Sequence, residues 1–306
     1  MIIIETTPNL YGVSIKGDYN DLNELYDSLS RYLGFYCENE ESFPYYGYEY
    51  LLSLNYDLRH AYQGDRETDI QENNAEQYGN MCQNIYEIDK DTQKHFAEIH
   101  KHHRYGNLYF SVNILYPLIF HYINAFEYIL NAWYKDEWFS KVPYPYDALS
   151  AEKDRSMIAL FTSMLWENLA QLFGREECMK MYHYVKQANE YVIPPALYTD
   201  AVLHYQLSQF KLLSSEEKKQ ALILFFYQQI EADFRRKNKA VIAANQQFKA
   251  SAEVLKASRA KMPMKQNQFF NRLLPISKSE EVSQREFDQL LQSLWPVDEE
   301  DKEPDW

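Results

Sequence analysis

Residues 51–66 read LLSLNYDLRHAYQGDR, and whether this stretch is extended or helical decides the architecture of the N-terminal half. Alternate positions separate by polarity. Leu52, Leu54, Tyr56, Leu58, His60 and Tyr62 fall on one side, and Ser53, Asn55, Asp57 and Arg59 fall on the other. A period of two is the mark of a strand with one packed face. The spacing predicts a strand over 51–62, turned at QGDR (63–66). Two more stretches alternate in the same way. In YGVSIKG (11–17) the apolar set is Tyr11, Val13 and Ile15; in NLYFSVNILY (107–116) it is Leu108, Phe110, Val112 and Ile114. MIII (1–4) supplies a hairpin partner for the first of these, with TPNL (7–10) as its turn. Clean alternation belongs to antiparallel sheets packed on one side.

Helical spacing appears beside these strands. Leu22, Leu25, Tyr26, Leu29 and Leu33 recur over 19–33 behind Asp18, a capping residue. Ile119, Ile123, Phe126, Leu130 and Trp133 recur over 117–134, with Pro117 at a first-turn position. These two helices cover the greasy side of the sheet. Ser14, Lys16, Asn55, Asp57, Arg59, Tyr109, Ser111 and Asn113 then share its polar face. Residues 34–47 and 67–83 read as loops.

SKVPYPYDALS (140–150) reads as a linker. Past it the pattern is helical: Ile158, Phe161, Leu165, Leu169 and Leu172 before Gly174, then segments near 176–191 and 196–213. Ser214 and Glu217 form a capping-box pair. Residues 216–261 lack Gly and Pro, and Tyr227, Ile230, Phe234, Val241, Ala244, Phe248 and Leu255 form a seam seeking a partner. The fold class is α+β: an N-terminal antiparallel sheet with one face covered by helices, then an all-α region with one long helix. The expected division is an α+β domain (1–139), a linker (140–150), a helical domain (151–261) and a tail (262–306). That tail holds a short amphipathic helix and the acidic stretch VDEEDKEPDW (297–306).

The chain carries a net charge of −14 over 306 residues, unevenly spread. Residues 235–272 hold ten Lys/Arg and one acid, Glu253; their +9 leaves −23 on the rest. Three scattered cysteines, Cys37, Cys82 and Cys178, argue against a disulfide framework and for a reducing compartment. Asn113, Pro117, His121, Asn124 and Glu127 interrupt the most apolar region, 109–130, so a membrane span is not expected there. The opening residues lack the basic region of a signal peptide. Cytoplasmic location is the expectation. No Walker loop, dinucleotide fingerprint or nucleophile elbow occurs, and eight glycines leave little for phosphate cradles.

TPNLYGVSIKGDYNDLNELYDSL (7–29) and YDLRHAYQGDR (56–66), with a weaker echo in YFSVNILYP (109–117), resemble an uncharacterised bacterial family with a domain of unknown function. The resemblance covers roughly the first 135 residues by these motifs, implies a bacterial, intracellular α+β domain, and brings no activity with it.

The strongest candidate binding cluster is Asp57, Arg59, His60, Tyr62, Asp65 and Arg66. One reading is architectural: Asp57 pairs with Arg59, His60 packs inward, Asp65 caps turn amides and Arg66 bridges to it. The other is that Arg59 and Arg66 hold an anion that Asp57 or His60 orients. HFAEIHKHHRY (95–105) sets His100 and His102 on one face with Glu98, a weak metal pattern to which His121 is a conceivable donor. No cofactor and no catalytic residue are assigned. The functional expectation is a non-enzymatic interaction or self-associating module acting through the C-terminal helices. A nucleic-acid-associated protein using 235–272 and an enzyme acting at Asp57, Arg59 and His60 are the alternatives.

Overall fold

A computed structural model describes residues 1–37, 45–71, 107–133, 147–188 and 196–237, with positions 91 and 94. Four strands form one antiparallel sheet in the order β1-β2-β4-β3. They are β1 (Ile3–Thr6), β2 (Gly12–Gly17), β3 (Glu67–Gln71) and β4 (Asn107–Leu115). The β1–β2 hairpin sets Ile4 opposite Ile15 and Thr6 opposite Val13. Its turn is TPNL: Leu10 donates its amide to the Thr7 carbonyl at 3.0 Å, and Leu10 takes φ 62°. Gly12 is needed just after it, because a Cβ there would lie 1.9 Å from the Ile114 carbonyl oxygen.

Strand pairing carries the two-faced pattern across the sheet. Val13 meets Ile114 and Ile15 meets Val112, all four buried. On the opposite face Ser14 meets Asn113 and Lys16 meets Ser111. These polar residues share one face as their alternation predicts. Asn55, Asp57 and Arg59 do not join them.

The reason is the stretch that opened the sequence reading. Residues 51–60 are helical, not extended: α2 runs Tyr45–His60 and passes into a π-turn at Ala61–Asp65. Leu54 and Leu58, four apart, satisfy both periods. Leu51 and Leu52 decide between them: Leu51 is buried and Leu52 is 41% exposed, the reverse of the two-residue pattern. Leu51, Leu54, Asn55, Leu58 and Ala61 form the buried face, at helical spacing. No Val, Ile or Thr occurs between 45 and 62, so a strand would lack the β-branched residues that favour it. Arg59 and His60 in the last turn complement the helix dipole. The loop expected from residue 67 is β3 over its first five residues.

Helix α1 (Tyr19–Cys37) starts on a reciprocal cap: the Asp21 amide donates to Asp18 at 2.9 Å and the Asp18 amide to Asp21 at 3.1 Å. Helix α3 (Tyr116–Trp133) follows β4 without a connecting residue. The remaining helices are α4 (Ala148–Phe173), α5 (Arg175–Ala188), α6 (Ala196–Gln209) and α7 (Ser215–Lys237). Asp147 caps α4 by accepting from the Ser150 amide, and Ser214 and Glu217 form the expected capping box before α7. Of the expected linker, 140–146 lies outside the described residues. The long helix is described as far as Lys237, and the basic tract beyond it, the tail and the His95–His103 segment lie outside the described residues.

One hydrophobic core runs through all of this. Helix α3 sits at its centre, packed against α2, α4, α6 and α7. Ile119, Phe120, Tyr122, Ile123 and Phe126 are fully buried around its circumference. Aromatic contacts radiate from it, with Phe120 edge-on to Phe226 of α7 at 5.3 Å and Phe126 edge-on to Phe161 of α4 at 6.0 Å. Polar ties follow the same routes. Asn168 of α4 donates to Thr6 Oγ1 at 3.3 Å, and Lys218 of α7 donates to the Asn9 carbonyl at 2.9 Å while lying over the Tyr11 ring.

Two predictions follow from these placements. Ser53, exposed in mid-α2, becomes a test of the helix: Ser53→Ala raises stability in urea unfolding by about 0.3–0.5 kcal/mol, where an extended segment would lose by it. Phe126→Ala lowers stability by about 3–5 kcal/mol in the same measurement, as expected for a ring fully enclosed by neighbouring helices.

Candidate functional site

The six residues singled out in the sequence come together at the corner where α2 turns into β3. Two ion pairs nest across the turn. Arg66 Nη2 donates to Asp57 Oδ1 at 3.0 Å, and His60 Nδ1 lies 2.9 Å from Asp65 Oδ2. The outer pair, 57–66, encloses the inner pair, 60–65. Gly64 makes this possible with φ 86°, a left-handed conformation that side chains resist.

The pairing differs from the expected one in each member. Asp57 and Arg59 are about 200° apart around a helix rather than neighbours on a strand face. Asp57 therefore meets Arg66, and Asp65 meets His60 rather than Arg66. His60 is at the surface rather than in the core. All four pairing side chains keep contact with solvent, between 24% and 58% exposed. Pairs of this kind contribute about 0–1 kcal/mol each.

Arg59 stands apart. Its guanidinium lies over the Tyr56 ring, 5.3 Å from the centroid, and no described carboxylate reaches it. Tyr56 also meets the His60 ring, with centroids 4.2 Å apart and planes tilted by 51°. Tyr62 turns to α1, edge-on to Tyr19 at 5.4 Å and to Tyr26 at 5.7 Å. Burial pushes the Tyr62 phenol above its ordinary value; Tyr26, Tyr19 and Asp27 add to this and Arg59 opposes it.

What can this corner do chemically? A general base must present a free nitrogen to a proton it will take. Among the described residues His60 hydrogen-bonds Asp65 alone, through Nδ1, and its Nε2 has no described partner. Asp57 is engaged by Arg66. The arrangement locks a turn and leaves Arg59, Tyr56 and Tyr19 as its outward-facing groups. Among the described residues no three His, Cys, Asp or Glu side chains gather as a metal site. His121 is fully buried against Tyr50, with ring centroids 4.8 Å apart; His100 and His102 lie outside the described residues.

Three buried polar groups were not picked out from the sequence. Asp154 of α4 accepts from Arg31 Nε at 2.8 Å, from Arg31 Nη2 at 2.6 Å and from Ser28 Oγ at 3.1 Å, tying α1 to α4. Glu127 of α3 accepts from the Trp166 indole at 3.0 Å and from Lys186, tying α3 to α4 and α5. The third is the fully buried Tyr122 phenol, with no described hydrogen-bond partner. Burial drives it far above the ordinary phenol range and the charge of Asp57 adds to this. A signal was present for Asp154: Ala151, Asp154 and Ile158 share one helical stripe. Cys178 is buried, donates to the Trp166 carbonyl, and has its thiol pushed up to about 11 chiefly by burial, which makes it unreactive.

Three measurements check these roles. Arg66→Ala costs at most about 1 kcal/mol, because both partners are exposed. Arg31→Met costs roughly 3 kcal/mol, because it strands a carboxylate that is 1% exposed. Tyr122→Phe raises stability by about 1 kcal/mol, since it removes a buried hydroxyl that no described residue satisfies. Urea unfolding at pH 7 reads all three.

Comparison with known families gives one match. The family described as "Domain of unknown function (DUF6904)" matches residues 2–267, and the chain belongs to it. The match extends well beyond the first 135 residues assigned from the motifs, and takes in all the described helices and most of the basic tract. Comparison with curated proteins finds no match, and comparison with solved structures finds none. No described helix is long and apolar enough to cross a membrane.

Proposed function

We propose that this member of a family of unknown function is a bacterial, cytoplasmic, non-enzymatic interaction module that associates with a second copy of itself through its C-terminal segment. The observation that carries this reading is how the basic tract is attached. Helix α7 is held in the core by Leu222, Leu224, Phe225, Phe226 and Tyr227, all at most 2% exposed. The same helix ends on Arg235, Arg236 and Lys237, the first three cations of the +9 tract. The tract continues the chain directly from this helix, and the rest of the chain carries −23. Opposite charges of that size favour docking of one copy's tract on another copy's body. At the α2–β3 corner Asp57 is engaged by Arg66, which supports an architectural role for that carboxylate.

The nucleic-acid reading draws on the same tract, which could neutralise phosphates instead of carboxylates. Salt separates association from folding in both cases, with a Debye length of about 8 Å at physiological ionic strength. Sedimentation of the full chain at 50 mM and 500 mM salt is the test, beside a variant carrying Lys249→Glu, Lys256→Glu, Arg259→Glu and Lys261→Glu. Association at low salt that is lost at high salt and in the variant is the expected result. A monomer under every condition contradicts the reading. A monomer that binds duplex DNA with a steep salt dependence moves the assignment to nucleic acid.

A further inference from the structure

The sheet has two edges, and the fold treats them differently. The β1 edge is packed by α4, with Thr6 bonded to Asn168. The β3 edge is last in the sheet order, and Glu67, Thr68, Asp69 and Ile70 are all exposed. Among the described residues no strand pairs with the outer edge of β3, and such an edge is a template for another strand.

Its two faces have opposite chemistry. Register places Thr68 opposite Phe110 and Ile70 opposite Leu108, on the face that the helices cover elsewhere. The cover does not reach this corner: Ile70 is 64% exposed and Leu108 is 52% exposed. Glu67 and Asp69 sit on the other face, opposite Ser111 and Tyr109. No described cation pairs with either of them. The Ile70 amide donates to its neighbour's carboxylate, Asp69 Oδ1, at 2.8 Å. Asp69 thus blunts the edge while it is unoccupied.

We infer that β3 accepts an added strand from a partner protein, an extended segment whose alternate residues are basic and whose intervening residues are apolar. The basic residues face Glu67 and Asp69. The apolar residues extend the Ile70–Leu108 pair. Backbone bonds supply affinity and the alternate side chains supply choice of partner, the ordinary division in strand addition. A second copy's β3 is a poor occupant. Antiparallel pairing in full overlap sets Asp69 against Asp69, and one adjacent register sets it against Glu67, so like charges directly opposite disfavour both; the other adjacent register, Asp69 against Gln71, overlaps only three residues and leaves Glu67 without a cation. The β3 site uses no residue of 235–272, so it stands or falls independently of self-association.

The test uses the full chain with two labelled peptides, TVKVKVT and TVEVEVT, read by fluorescence anisotropy at 50 mM salt. Hydrogen exchange over residues 67–71 locates the binding. The expected result is that TVKVKVT binds and slows exchange at 67–71. The exposed double variant Glu67→Lys, Asp69→Lys binds it at least tenfold more weakly and slows instead with TVEVEVT. No slowing at 67–71 with the basic peptide, or equal affinity for it in the variant, overturns the inference.

Discussion

The structure depends on a single helix being buried around nearly its whole circumference. Helix α3 begins at the residue after β4, so the strand's direction fixes where the helix starts. A helix of this kind has no wet face to offer and must be enclosed. The sheet and α2 enclose part of it, but they cannot surround it. Helices α4, α6 and α7 complete the enclosure, which makes the C-terminal half a requirement of the N-terminal core. Burial of each large side chain on α3 contributes about 1.5–3 kcal/mol, so the enclosure outweighs any single surface pair.

Polar groups within this frame divide by depth. Among the described residues the buried carboxylates are Asp154 and Glu127, and both are engaged. Asp154 is forked by Arg31, and Glu127 is held by Trp166 and Lys186. Charges at such depth are retained only with partners of this quality. At the surface the logic differs. The pairs at the α2–β3 corner are exposed and weak, yet they fix the direction in which β3 leaves the helix. That direction carries β3 to the sheet edge and leaves Arg59 and Tyr56 on the outside of the turn.

Much of this was legible in the sequence. The alternation in 11–17 and 107–116 placed two central strands and their polar faces, because each has a single packed side. The cap at Asp18, the box at Ser214 and Glu217 and the stripe of 117–134 are local signals that tertiary context did not override. Residues 51–62 misled because leucines four apart fit both periods, and only Leu51 and the lack of β-branched residues separated them. Four of the six corner residues pair with one another, but which pairs with which depended on that same period. Ile70 and Leu108 show a different limit. The face of Leu108 follows from alternation, Ile70 lay in a stretch read as a loop, and the exposure of both depends on where the helices stop.

The central claim is that sheet and C-terminal helices share one core and open together. Native-state hydrogen exchange tests it most directly, comparing amides of Ile15 and Val112 in the sheet with those of Phe161, Leu165 and Phe225 in α4 and α7. The account predicts that all five exchange through one global opening, with the same free energy and the same dependence on denaturant. Amides of α4 and α7 that open well before a sheet that stays protected would contradict it.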